Sequence, residues 1–359
     1  PDQVRKVFKA SRIIGKRFKL VHVFNRSELI EVATFRSGEE KNNQGELIKD
    51  QSGKIIRDNI WGDLDQDIYR RDFTLNALYY CPISKKIIGH KDGIKDIKQK
   101  KIVSIGDPRH RFSEDPVRSL RAIRFSNKLS FKIDKKIKNA IYEKGYLLSN
   151  ISNARIFDEF CKIFLGGMAE KNFNKLDSFG LSKFLITIEP KVNEFLHNVI
   201  FEALRNTDRR IKNNQSVTPG FLIAALLWPN LINKSLAKGE INLRKFFRSM
   251  DPILRKQQKI TAIPRKFHSY IKDIWVLQLK LHSRIGKQPY KTLKHPRFRA
   301  AYDLMLIREK SFCETKNLGK WWTDFQKNDE KLKKSLISSL KEKDMQESFK
   351  TFGFSKELI

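Results

Sequence analysis

The sequence predicts an α+β chain: a small mixed or antiparallel sheet near its start, followed by a largely all-α remainder. Three observations lead there. Residues 18–24 and 29–35 are short runs of alternating or β-branched apolar residues around the polar tetrad Asn25-Arg26-Ser27-Glu28, the pattern of an antiparallel hairpin. From about residue 114 the apolar residues instead recur at helical spacing. At the changeover stands Glu114-Asp115-Pro116-Val117-Arg118-Ser119-Leu120-Arg121-Ala122-Ile123-Arg124-Phe125, a helix start with a charged stripe built into it.

After the hairpin, residues 36–60 carry Gly38, Gly45 and Gly53 among polar residues with little periodicity, so a long, mobile loop is expected. A helix or helical turn covers residues 65–78. Short strands fit 86–89 and 102–105, with Asp92-Gly93 as a turn between elements. Helix-length apolar patterns follow near 114–128, 134–145, 154–166, 171–178, 195–205, 219–228, 241–249, 266–284, 296–313 and 317–326. The sequence has no internal repeat and no low-complexity linker. Beyond residue 328 it turns Lys-rich and polar, and a basic, weakly ordered tail is expected.

A chain of 359 residues can form two or three small domains with cores of their own. Its 40% apolar and 11% aromatic content excludes a disordered chain. A net charge of +33 and a pI near 10.0 make RNA or DNA the leading partner, because clustered cations release counterions from phosphates. A lysine-rich compositional bias would give the same sign of charge without such a partner. No apolar run reaches the roughly 20 residues of a membrane span, and no signal-peptide pattern is present. No membrane partner is therefore expected, and the cysteine usage points to a cytoplasmic location. Cys81, Cys161 and Cys313 are widely spaced and read as reduced thiols. His22, His90, His110 and His295 form no ligand cluster by spacing, so no zinc site is expected.

Pro116 suits the first helical position, where its missing N–H has no intrahelical partner, and Asp115 suits the N-cap. Arg118, Arg121 and Arg124 follow Asp115 at i+3, i+6 and i+9, a slowly drifting stripe on one face. Val117, Leu120, Ile123 and Phe125 lie largely opposite and can anchor the helix in a core. Acceptor and donors held side by side can read the polar edge of a base, and the other guanidiniums can hold phosphates by bidentate hydrogen bonds. An isolated stripe would instead be a solvated face with one Asp–Arg pair.

The stripe is not isolated. Upstream stand Leu29-Ile30-Glu31-Val32-Ala33-Thr34-Phe35-Arg36 and Arg70-Arg71-Asp72-Phe73-Thr74-Leu75-Asn76-Ala77-Leu78. In this order and spacing the three segments resemble the nucleotidyltransferase superfamily of class II tRNA CCA-adding enzymes and bacterial poly(A) polymerases. The resemblance implies a DNA polymerase beta-like head domain, a nucleoside triphosphate substrate, and Mg²⁺ or Mn²⁺ as cofactor. Such ions lower the pKa of an attacking 3′-hydroxyl and neutralise the triphosphate, and they require clustered oxygen ligands.

By that resemblance Glu31 is the third carboxylate of the catalytic sheet and a metal ligand, and Asp72 is a catalytic-site aspartate. Arg71, with Arg70 beside it, meets the triphosphate. Asp115 and Arg118 read the base, while Arg121 and Arg124 hold phosphate or support the helix. The residues alone leave two alternatives open: Glu31 as an edge-strand glutamate facing water, and Asp72 as a local partner of Arg70 or Arg71. The superfamily's Gly-Gly motif and Asp-x-Asp pair, which precede the hairpin, are not found ahead of it in this sequence, and residues 1–8 resemble the helix that follows them. The expectation is an N-terminally truncated fragment with a remnant head, inactive alone.

Arg57-Asp58-Asn59-Ile60-Trp61-Gly62, Arg205-Asn206-Thr207-Asp208-Arg209-Arg210-Ile211, residues 295–304 and Lys320-Trp321-Trp322 with Phe325-Gln326 are similar to the bacterial poly(A) polymerase I branch. This likeness runs to about residue 326. It implies addition of AMP from ATP to RNA 3′ ends, promoting RNA decay, with RNA, ATP and the decay machinery as partners. The expected division is a partial head at 1–108, a nucleotide-reading neck at 109–170, an RNA-binding helical region at 171–327 and the tail at 328–359. Arg284, Lys287, Lys291, Lys294, Arg297 and Arg299, interleaved with Tyr290 and Phe298, suit an RNA backbone track. Phe298, Tyr302, Trp321 and Trp322 are expected in the core rather than stacked on bases. The tail's Lys/Glu/Ser mixture replaces the branch's Arg/Pro-rich extension. Two other readings are a tRNA CCA-adding enzyme and a non-catalytic RNA-binding protein.

Overall fold

In the computed structural model the described residues are 1–15, 19–37, 47–49, 55–58, 61–189, 194–237, 240–312 and 318–340. Helix α1 (Asp2–Val7) leads into β1 (Ser11–Ile14), β2 (Leu20–Asn25) and β3 (Glu28–Val32), an antiparallel sheet in the order β1-β2-β3. The expected hairpin forms as β2 and β3, and Arg26 in its turn adopts φ 54°. Alternation places Val21 and Val23 in the core, while Phe24, Leu29 and Ile30 stay exposed. The segment expected as a loop contains a further antiparallel pair, β4 (Leu47–Lys49) and β5 (Ile55–Asp58); Asn59 and Ile60 lie outside the described residues.

Asp63 and Gln66 form a reciprocal capping box that starts α2 (Leu64–Arg70). The helix expected over 65–78 stops at Arg70, because the chain extends at Arg71 and a 3₁₀ turn takes Thr74–Asn76. The hairpin of β6 (Leu78–Cys81) and β7 (Lys86–Gly89) follows, then α3 (Gly93–Lys98) and β8 (Lys101–Ile102). Helix α4 (Pro108–Glu114) was not anticipated as a separate element; Asp107 caps it and Pro108 opens it. Asp115 lies between α4 and α5 (Val117–Leu129), accepting from the Val117 amide at 3.3 Å. Strand β9 (Lys132–Ile133) pairs in parallel with β8, ahead of α6 (Lys135–Lys144).

The chain divides into two units, Pro1–Arg118 with Leu129–Glu143, and Ser119–Lys128 with Lys144–Ile359. In the first, Ile68, Ala77 and Ile105 form a core cluster with Leu64 and Tyr79 packed against it. The second continues with α7 (Asn153–Phe164), α8 (Ala169–Ser178), α9 (Glu194–Lys212) and α10 (Pro219–Ser235). A short hairpin, β10 (Leu236–Ala237) and β11 (Glu240–Ile241), precedes α11 (Leu243–Gln258), α12 (Arg265–His282), α13 (Gln288–Leu293), α14 (Phe298–Phe312), α15 (Leu318–Lys327) and α16 (Glu330–Ser338).

Helix α10 is apolar nearly all round and is the buried centre of this unit, packed by α9, α11 and α12. Trp275 donates its indole N–H to the Ala224 carbonyl at 2.9 Å, and Trp322 donates to the Leu281 carbonyl at 2.8 Å, so both buried indoles are satisfied. Trp321, Trp322, Phe298 and Tyr302 lie in one core cluster, as expected of them. The expected weakly ordered tail is corrected at its start. Asp329 caps α16 by accepting from the Leu332 amide at 2.9 Å, and Leu336, Ile337 and Leu340 pack on the Trp321–Trp322 core. Residues 341–359 of that expected tail lie outside the described residues, as does Cys313.

Candidate active site

The candidate site in the first unit is organised by Asp67, a residue that pattern reading missed. Asp67 sits three and four positions before Arg70 and Arg71 on α2, so both arginines return over the same helical face. Its side chain is 2% exposed. Arg70 Nε donates to Oδ1 at 2.7 Å, and Arg71 donates to Oδ2 through Nη2 at 2.7 Å and Nε at 3.1 Å. Tyr79 donates its hydroxyl to Oδ2, and the Arg36 amide donates to Oδ1 at 3.3 Å. Burial by itself would raise the Asp67 carboxyl, but Tyr79 and the two arginines outweigh it and hold it at about 2. The Arg71 guanidinium also lies 5.5 Å from the centre of the Tyr79 ring. Both arginines therefore have fixed side chains with edges left for an anion, and Arg71 is the more exposed at 39%.

A second layer ties this turn to α4 and α5. Arg111 donates from Nη2 to the carbonyls of Arg70 and Arg71, both at 2.7 Å, and from Nη1 to Glu114 at 2.8 Å. Burial and the neighbouring Arg118 push the Arg111 pKa down, while Glu114 and Asp72 act against them. Arg118 donates to the Glu114 carboxylate at 3.0 Å and to the Arg111 carbonyl at 3.1 Å. The Arg-Arg-Asp turn and the Glu-Asp-x-x-Arg segment, separate in sequence, thus become one hydrogen-bonded network. Arg111 carried no usable signal in the sequence, because its acceptors are backbone carbonyls about 40 residues away.

Asp72 is buried and serves the turn: its Oδ1 accepts from the Phe73 amide at 2.9 Å and from Asn76 Nδ2 at 3.0 Å. The alternative role of holding Arg70 and Arg71, offered for Asp72 from sequence, belongs to Asp67. Glu31 lies directly across from His22 in the β2–β3 register, 3.2 Å from its Nε2, with a side chain 63% exposed. An exposed carboxylate on this strand is compatible with either alternative. Among the described residues no group of three or more His, Cys, Asp or Glu side chains could hold a metal ion. These residues do not on their own assemble the oxygen-ligand set that a divalent cation needs.

In the second unit, Arg121 and Arg124 flank the half-buried Phe125 ring at 5.3 and 4.4 Å from its centre. Phe125 was expected in the core with Val117, Leu120 and Ile123; those three are buried, and Phe125 instead carries the two cations. Of the six residues expected on an RNA track, Lys287, Lys291, Lys294, Arg297 and Arg299 are exposed. Arg299 pairs with Asp303 at 3.2 Å, and Arg297 lies over the Tyr270 ring. Arg284 is corrected: it is 7% exposed, with its guanidinium 5.4 Å from the Trp321 ring centre. A cation buried against the indole core is not available to a backbone phosphate.

The fold, with the matches that follow, is that of a nucleotidyltransferase. The poly(A) polymerase head-domain family matches residues 1–103, the probable RNA- and SrmB-binding site of polymerase A matches 130–196, and the arginine-rich C-terminus of polymerase A matches 238–351. The last match runs past residue 326, where the likeness was expected to end. Poly(A) polymerase I of Haemophilus influenzae is 37% identical over 94% of this chain and 77% of its own length. That of Escherichia coli is 37% identical over 95% of this chain and 76% of its own length. The Geobacillus CCA-adding enzyme is 34% identical over 62% of this chain and 51% of its own. Among solved structures, the Bacillus stearothermophilus CCA-adding enzyme with CTP shares the fold at 21% identity and TM-score 0.52, covering 95% of this chain and 71% of that one. The Thermotoga maritima CCA-adding enzyme with tRNA does so at 19% and 0.56, covering 97% and 82%. The chain belongs to the poly(A) polymerase I family.

Proposed function

We propose that the protein adds AMP from ATP to RNA 3′ ends without a nucleic-acid template, marking RNA for decay in the cytoplasm. The observation that carries this reading is the extent of the likeness. Poly(A) polymerase I relatives match over 94–95% of the chain, helical region included, whereas the CCA-adding relatives cover 48–62%. Among the described residues no helix is long and apolar enough to cross a membrane.

In this reading Asp67 fixes Arg70 and Arg71 so that their remaining N–H groups grip the ATP triphosphate without first being ordered. Arg118 and Asp115 present donor and acceptor to the adenine edge, with Glu114 and the Arg111 carbonyl setting the Arg118 guanidinium. A wrong base leaves those groups unpaired, which is what makes side-chain reading selective. Arg121 and Arg124 support the reading helix and offer charge to phosphate. Asp72 keeps the turn that carries Arg71 in shape. Mg²⁺ or Mn²⁺ would supply charge neutralisation at the triphosphate, with Glu31 as one carboxylate donor. Lys287, Lys291, Lys294, Arg297 and Arg299 serve the RNA backbone.

The test is a 3′-end extension assay on labelled RNA with the full-length protein, offering ATP, CTP, GTP and UTP separately. Long ladders with ATP alone are expected. Incorporation of CTP that stops after a fixed short addition would assign the activity to a CCA-adding enzyme. RNA binding with no extension from any nucleotide would leave only the RNA-binding role.

A further inference from the structure

A cleft of about 720 Å³ opens in the second unit between α13 and α16, inside the roughly 300–1,000 Å³ span of small-ligand pockets. Its walls combine two chemistries. Lys287, Lys291 and Lys294, on and beside α13, and Lys334 on α16 are exposed cations of its lining. Between them the surface is apolar. Tyr290 stands edge-on to Phe325, ring centroids 5.3 Å apart, and Ile337 packs with it on the same tryptophan core. The Tyr290 hydroxyl is shut off from solvent with no hydrogen bond of ordinary geometry. Glu330, the acidic residue of the lining, lies beside it: burial first, and then that carboxylate, push the phenol's pKa up.

We infer that this cleft takes one unpaired nucleotide of bound RNA, its base against Tyr290 and Ile337 and its flanking phosphates on the four lysines. The inference rests on the RNA-substrate reading above and gives that reading a defined subsite. A base has a flat apolar face for the tyrosine and isoleucine walls, and its flanking phosphates match a cationic rim. Glu330 can only accept, so it suits the exocyclic amino group of adenine, whereas uracil carries a carbonyl at that position and offers only its ring N3–H as a donor.

The experiment titrates the full-length protein with fluorescein-labelled 20-nucleotide oligo(A) and oligo(U), without nucleotide or metal. Wild type should bind oligo(A) the tighter. Lys291→Glu with Lys294→Glu should weaken oligo(A) binding at least tenfold and lower the salt slope by about 1.4, at about 0.7 per lost phosphate contact. Lys259→Glu with Lys266→Glu makes the same charge change outside the cleft lining and should cost less than threefold. Ser338→Trp, which fills the cleft without changing charge, should abolish the preference for oligo(A) while leaving the melting temperature unchanged. Equal losses from the two lysine pairs, or an unchanged preference in Ser338→Trp, would overturn the subsite and leave RNA binding intact. AMP or an acidic peptide displacing oligo(A) from wild type at micromolar concentration, but not from Ser338→Trp, would hand the cleft to that ligand instead. If wild type binds no RNA at all, the RNA-substrate reading fails as well.

Discussion

Asp67 shows how one buried carboxylate can serve both stability and chemistry. Its pKa lies near 2 in the folded chain against an ordinary 3.8. A depressed carboxylate stabilises the fold above the ordinary value, and that contribution disappears as pH falls through 3.8 toward 2. At about 1.36 kcal/mol per unit the linkage is about 2 kcal/mol at neutral pH. Asp67→Asn should therefore lower the first unit's stability at pH 7 by about that amount and flatten its acid dependence between pH 4 and 2, as read by thermal melts. Because the same substitution frees Arg70 and Arg71, KM for ATP should rise about tenfold while RNA affinity changes less than threefold. Arg118 gives the complementary test. Arg118→Ala should cut both ATP-over-CTP discrimination and kcat about tenfold or more, since a bidentate base contact contributes roughly 1–3 kcal/mol. Loss of RNA binding with ATP affinity intact would show that the α5 assignment is wrong.

At the scale of elements, α5 was legible because its pattern is local: Val117, Leu120 and Ile123 recur at helical spacing and are all buried. The network around it was not. Arg111 and the Arg70 and Arg71 carbonyls meet only through folding, and no spacing rule anticipates a guanidinium bonded to distant carbonyls. Asp67 was readable in principle from its i+3 and i+4 arginines, but Asp72 in the adjoining motif drew the assignment. Helix α16 was hidden by its charge: four of its nine residues are Lys or Glu, and its packing face is only a short apolar edge. The core of the second unit yields two measurements. Trp322→Ala removes a fully buried indole and its hydrogen bond to Leu281 and should cost about 3–5 kcal/mol, visible in the melting temperature. His282 is buried beside Arg308 and Arg284; its burial first, and then the two guanidiniums, push it down to about 3. Between its ordinary 6.5 and 3 the unfolded chain binds a proton that the folded chain refuses. The second unit should thus lose stability as pH falls through that window, and His282→Gln should remove that slope.

For the whole molecule, the net charge of +33 sets the expectation for polyanion binding. The charge announced nucleic acid without saying which cations touch it: Arg284 lies in a core, and Lys287, Lys291 and Lys294 line a cleft. Log-affinity for single-stranded RNA should fall linearly with log salt, at about 0.7 per phosphate contact, and a flat response would remove the electrostatic basis of the RNA reading. The family was readable because its motifs are short and ordered along the chain. Choosing the polyadenylating branch needed the helical half, where the likeness lies in scattered segments. The central claim, ATP-selective extension of RNA by an arginine platform locked on Asp67, meets its most direct test in the extension assay with each nucleotide offered singly. Long ATP-only ladders that shorten in Arg118→Ala are the predicted result. A short CTP-containing addition of fixed length would contradict it.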